Sequence, residues 1–214
     1  MVLPCWVMER GGNLRGETMD ETTFDNIFQP YRNRIGQCGG PLFWLVNKVE
    51  TLDPHVILEI GLGQGGSLRV WEKLLKPDNL LVGVDINPEI KNRIFWDWGN
   101  SDRKVKIIVG DSTDLKTVNK VKEALGKKKV DFLYIDGGHT YQTVSSDFYN
   151  YSPLVRSGGL VGFHDLEDSK GINRQPDHES DITKLFNELG GKKELSERRM
   201  RVDGLICTRV WWKP

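Results

Sequence analysis

The segment Val56-Ile57-Leu58-Glu59-Ile60-Gly61-Leu62-Gly63-Gln64-Gly65-Gly66-Ser67 sets how its flanks are read. Its first half is a short apolar run of the kind that forms a strand buried on both faces. Its second half is a glycine turn, followed by a helix from Ser67 to Leu75. Glycine permits positive φ and lets a ligand approach the backbone with no Cβ in the way. The helix that follows offers amide donors with no intrahelical partner. Gly61, Gly63 and Gly66 satisfy G-x-G-x-x-G, a spacing that by itself serves a dinucleotide or another nucleoside ligand.

Outward from this segment, short apolar runs alternate with helical stretches. Leu80–Asp85, Val105–Asp111, Val130–Asp136 and Leu160–Asp165 read as further strands, with helices over Leu115–Leu125 and Tyr141–Leu154. Ahead of them, Leu42, Leu45, Val46 and Val49 recur at helical spacing. Strands of this kind separated by helices predict an α/β fold, a doubly wound and mostly parallel sheet with helices on both faces. After a polar loop (Leu166–Ser180) and a helix (Ile182–Leu189), Lys193–Ser196 and Gly204–Trp212 follow with no helix between them. They predict a C-terminal antiparallel hairpin, with Trp211 and Trp212 on an edge strand. Residues 1–36 form a lead-in, loose over 9–23, that frays or covers a site; residues 37–214 form the main domain.

Lysine plus arginine and aspartate plus glutamate number 30 each, so the net charge is zero. Nucleic-acid binders carry a basic excess, so the balance favours a small-molecule partner over nucleic acid. Cys5, Cys38 and Cys207 are too scattered for a disulfide framework or a metal motif. No run approaches the roughly 18 apolar residues of a membrane span, and the start lacks a signal-peptide pattern. The expectation is a cytoplasmic protein that does not bind membranes. A homo-oligomer stays open.

The informative polar residues fall at the carboxyl ends of the strands, the edge where open α/β sheets bind ligands. Glu59 and the glycine turn end the first strand; Asp85, Asp111, Asp136 and the pair His164-Asp165 end the next four. Asp85 lies about 20 residues past the turn, as a ribose-hydroxyl acceptor would. Glu59 stands just ahead of the glycines, where a pyrophosphate gains nothing from another negative charge and a cationic sulfonium tolerates it. That residue and the terminal hairpin favour S-adenosylmethionine over a dinucleotide.

These segments, with Gly110-Asp111-Ser112, Ile135-Asp136-Gly137-Gly138-His139-Thr140-Tyr141 and Gly158–Asp165, resemble the class I S-adenosylmethionine-dependent methyltransferases over roughly residues 37–210. The Ile-Asp-Gly-x-His-x-Tyr segment and the His-Asp pair resemble a subgroup of sugar and small-molecule O-methyltransferases and cephalosporin-hydroxylase-like proteins. The resemblance implies a seven-stranded, Rossmann-like methyltransferase fold. It implies that Glu59, Gly61, Gly63, Gly65 and Ser67 hold the methionine end of the cofactor S-adenosylmethionine. Asp85 would take the ribose, and Asp111 and Ser112 the adenine.

It further implies a methyl-transfer side formed by Asp136 and the acid after the fifth strand. In related enzymes these positions bind a divalent metal, usually Mg2+. Asp136, His164 and Asp165 are the candidate ligands here, although an imidazole suits magnesium less well than other divalent ions. Transfer to a hydroxyl needs a general base or a metal. Asp136 and His139 are the catalytic candidates, since an imidazole titrates near neutrality; the alternative for His139 is a loop-orienting role. Tyr141 and Asp147 are expected at a helix start and on the surface. Trp71, Phe95, Trp96 and Trp98 are expected in the core or at an acceptor pocket. Arg198, Arg199 and Arg201 could meet an anionic substrate. The leading function is O-methylation of a small-molecule hydroxyl, sugar or phenolic. The alternatives are a nicotinamide-dependent oxidoreductase, for which the Tyr-x-x-x-Lys pair is missing, and a non-catalytic S-adenosylmethionine-binding protein.

Overall fold

The computed structural model describes residues 19–35, 39–95, 104–164, 181–195 and 208–214. The three cysteines, Trp96, Trp98, Asp165, most of the 166–181 loop, Arg198, Arg199 and Arg201 lie outside them, as does the side chain of Phe95. Among the described residues, seven α-helices, α1 (Glu21–Phe28), α2 (Gly39–Glu50), α3 (Gly66–Leu74), α4 (Ile90–Phe95), α5 (Leu115–Leu125), α6 (Tyr141–Tyr151) and α7 (Asp181–Glu188), accompany seven strands. The strands are β1 (Val56–Ile60), β2 (Leu80–Asp85), β3 (Lys104–Val109), β4 (Val130–Ile135), β5 (Val155–Phe163), β6 (Lys193–Leu195) and β7 (Arg209–Trp212).

They form one sheet in the order β3-β2-β1-β4-β5-β7-β6. The pairings among the first five strands are parallel, and β7 runs antiparallel to both β5 and β6. The order reverses between β1 and β4, which opens a crevice at their carboxyl ends. The doubly wound sheet and the antiparallel hairpin expected from the sequence are both present. One detail differs: β7 lies inside the sheet, so Trp211 and Trp212 are not on an edge. Trp211 is buried against Phe148, and its indole N–H donates to the carbonyl of Gly190 at 2.6 Å.

Each strand feeds two cores because successive side chains alternate faces. Val56, Leu58 and Ile60 join Leu133, Ile135 and residues of α5, α6 and α7 on one face. Ile57 faces the other way and joins Phe132 and Tyr134 with α1, α2 and α3. The stripe Leu42, Leu45, Val46 and Val49 is fully buried in this second core. Trp71 settles there too, edge-on to Phe132 at 5.2 Å and to Tyr134 at 5.4 Å, which makes it a core residue and not a pocket wall.

Of the lead-in, residues 19–35 are described, and they carry a helix and a 3-10 turn. Asp20 caps α1 through the amide of Thr23, and Phe24 and Phe28 are buried. A 3-10 turn at Gln29–Arg34 then brings Ile35 down onto α3. Asp147 also departs from expectation: it is fully buried under the loop after β4. Burial pushes its carboxyl up to about 6, the Ser112 hydroxyl draws it down in part, and the charge of Asp111 adds to the rise. Among the described residues, no helix is long and apolar enough to cross a membrane.

Two stability outcomes follow from this packing. Trp71→Ala leaves a large void between two aromatic rings and costs about 3–5 kcal/mol, read from urea unfolding midpoints; a loss under 1 kcal/mol would contradict the packing. Asp147 retains a proton in the native state between about pH 4 and pH 6, while the unfolded chain has released its own. Stability attributable to this residue therefore falls across that window and is flat above it, by about 3 kcal/mol in all. Asp147→Asn removes the fall and is the more stable protein at pH 8; parallel pH–stability curves would refute the assignment.

Candidate functional site

The parallel hydrogen-bond ladder runs one step beyond the strands and fixes the site's backbone. Gly61 N–H donates to Val84 O at 2.8 Å, Asp136 N–H to Ile60 O at 2.8 Å, and His164 N–H to Ile135 O at 3.1 Å. The glycine turn, the acid after β4 and the histidine after β5 are thereby aligned along one edge. Gly61 adopts φ +84° and lies so close to the next loop that a Cβ would come within 2.1 Å of the Asp136 carbonyl oxygen. Backbone, not a side chain, would have to yield there.

Asp85 holds the turn. One oxygen accepts the amides of Leu62 at 2.8 Å and Gly63 at 3.1 Å, and the other accepts the Asn87 amide at 2.7 Å. Each carboxylate oxygen has more than one acceptor site, so a role toward a ribose is compatible with this bracing. Glu59 faces the second core by strand alternation and is fully buried beneath α3. Burial drives its carboxyl well above the ordinary value, with the Ser67 hydroxyl, which donates to Oε1, opposing the rise. Gly63 and Gly65 have φ of +53° and +78°. Asp111 is exposed and bonded by the Thr113 hydroxyl and amide, which lower its carboxyl. The carbonyl of neighbouring Ser112 accepts the Tyr151 hydroxyl at 2.9 Å.

Asp136 stands between two histidines. Its Oδ1 is 2.9 Å from His164 Nδ1 and 3.9 Å from His139 Nε2. The first is a hydrogen bond; the second is ion-pair range, longer than a hydrogen bond. Desolvation would raise the Asp136 carboxyl, yet the electrostatic and hydrogen-bond influence of His164, and then of His139, outweighs it and holds it below the usual range. His164 is buried, whereas the side chain of His139 is 49% exposed.

These groups line a cavity of about 410 Å³ with Gly61, Leu62, Gly63, Gln64 and Ser67. Asn33, Arg34 and Ile35 complete its wall. The sequence offers no local cue for those three, because their place depends on Ile35 packing against Gly66 from far along the chain. Asp111 and Ser112 lie beyond this cavity, along the same edge. Among the described residues, no group of three or more histidine, cysteine, aspartate or glutamate side chains is arranged to hold a metal.

Residues 58–166, half of the chain, match the family model described as "Methyltransferase domain". An uncharacterized protein of Acanthamoeba polyphaga mimivirus is 29% identical over 131 residues, which span 58% of this chain and 57% of that protein. The O-methyltransferase TomG from Streptomyces achromogenes, involved in tomaymycin synthesis and solved with SAM, aligns at a TM-score of 0.65 and 17% identity, covering 92% of each chain. The MycE methyltransferase of the mycinamycin pathway, solved with Mg, SAH and mycinamycin VI, aligns at 0.58 and 22% identity over 77% of this chain and 46% of that one. The two solved structures share the fold described above. By the match to its central half, the chain belongs to the methyltransferase-domain family.

Proposed function

We propose that the protein transfers the methyl group of S-adenosylmethionine to a hydroxyl of a small molecule. The observation that carries this reading is the meeting, around one cavity at the sheet edge, of the braced glycine turn and the Asp136–His139–His164 cluster. Family membership supports methyl transfer over the nicotinamide alternative. The bound SAM of TomG supports the donor, and the zero net charge supports a small acceptor over nucleic acid.

The donor supplies an activated methyl carbon on a cationic sulfur. The chain supplies its placement: Glu59, Gly61, Gly63, Gly65 and Ser67 about the methionine end, Asp85 at the ribose, and Asp111 and Ser112 at the adenine. His139 takes the acceptor's hydroxyl proton as the oxygen bonds to the methyl carbon; the carbon–sulfur bond breaks and its electron pair stays on sulfur. Asp136, kept ionised by its neighbours, stabilises the imidazolium that forms at His139.

Magnesium takes oxygen ligands, while the described donors are one carboxylate engaged by two imidazoles, with Asp165 outside the described residues. The described donors alone supply too few oxygens to hold that ion, and no step is assigned to it. Loss of turnover in EDTA would assign a divalent metal to Asp136, His164 and Asp165; unchanged turnover would leave proton transfer to His139 alone.

Calorimetry with S-adenosylmethionine tests the donor, and folded protein that fails to bind it would refute the reading. Asp85→Ala loses both the ribose acceptor and the turn's brace, and is expected to weaken binding about 10- to 100-fold. His139→Ala is expected to lower kcat about 100-fold or more with donor affinity unchanged. The pH–rate profile should lose its neutral ascending limb in that variant. Retention of kcat would remove His139 from the chemistry, and absence of turnover with any hydroxyl acceptor would favour a binding protein.

A further inference from the structure

Resting on the reading of the donor above, we infer that Arg34 is a donor-binding residue and pairs with the carboxylate of its amino-acid tail. S-adenosylmethionine ends in a zwitterion, so a pocket for that end must meet an ammonium and a carboxylate. Acids are plentiful: Glu59 lies under the turn and Asp136 opens onto the cavity. Among the described lining residues, Arg34 carries the one guanidinium, and no lysine is present.

Its placement over the turn is built into the packing. Gly66 has no Cβ because one would lie 2.4 Å from Ile35 Cγ1 and 2.6 Å from the Arg34 carbonyl oxygen. Ile35 is buried at that contact. The 3-10 turn is anchored again where Tyr31 stacks under the Arg69 guanidinium at 5.9 Å. Arg69 is in turn held by Glu72 at 2.9 Å. The backbone of residue 34 is thus fixed directly above the start of α3, whose N-cap Gly65 supplies no side-chain acceptor to the first amides. A guanidinium is suited to a carboxylate because its fork of donors matches the two oxygens. The 3-10 turn then acts as a clamp from the amino-terminal segment on the ligand held by the glycine turn.

The test compares two probes, S-adenosylhomocysteine, which has the amino-acid tail, and 5′-methylthioadenosine, which lacks it. By calorimetry, Arg34→Ala is expected to weaken S-adenosylhomocysteine about ten-fold or more and to leave 5′-methylthioadenosine unchanged. Arg34→Lys should recover part of the loss. Equal weakening of both probes would mean a general disturbance of the turn and would overturn the assignment. Unchanged S-adenosylhomocysteine affinity would overturn it as well, including the case in which only the acceptor's KM rises. If the unmodified protein binds neither probe, it is the donor reading that fails, and the inference falls with it.

Discussion

The carboxylate of Asp85 is the constraint on which the site's shape depends. The chain leaves β1 in a glycine turn that has no side chains to pack and little propensity to hold one conformation. The amides of Leu62 and Gly63 converge on one oxygen of Asp85 and tie that turn to the end of β2, while the Asn87 amide holds the other oxygen. An ionised acceptor makes these bonds stronger than neutral ones. Gly61 is thereby set against the Asp136 carbonyl with no space for a methyl group. The glycine turn and the proposed proton-transfer cluster are consequently packed directly against each other.

The opposite edge of the sheet shows what a purely structural acid looks like. Asp131 is buried at the start of β4. It accepts the amides of His55 and Val56 and the guanidinium of Arg156, which joins β1, β4 and β5. Its oxygens are consumed by the fold. At the carboxyl edge, Asp136 instead spends one oxygen on a buried histidine and shares it with an accessible one. A group that orients one imidazole while facing another is arranged for proton handling. The difference lies in the partners, not in the residue type.

Burial separates the carboxyls in a way their spacing does not announce. Glu59 and Asp147 are both fully buried, and both are raised by loss of solvent. Glu59 is read from the sequence as a site residue because it precedes the glycines; strand alternation turns it beneath α3 toward Ser67 and Trp71. Asp147 sits on a helix of modest amphipathic character, where a polar residue reads as exposed. Only the packing of α6 under the Gly137 loop places it inside.

The sequence by itself determined the elements with short-range signatures. The apolar period gave the parallel strands, glycine marked the turn after β1, and the acids at successive strand ends fell along the carboxyl edge of the sheet. One boundary moved where local signals compete: β5, expected from Leu160, begins at Val155, before the glycine pair Gly158-Gly159. Tertiary structure alone decided which histidine Asp136 holds, that β7 enters the sheet between β5 and β6, that Trp71 is core, and that Arg34 stands over the turn. Each of these depends on contacts between segments far apart in the chain. Such contacts arise from how buried faces fit together, a property that no single segment encodes.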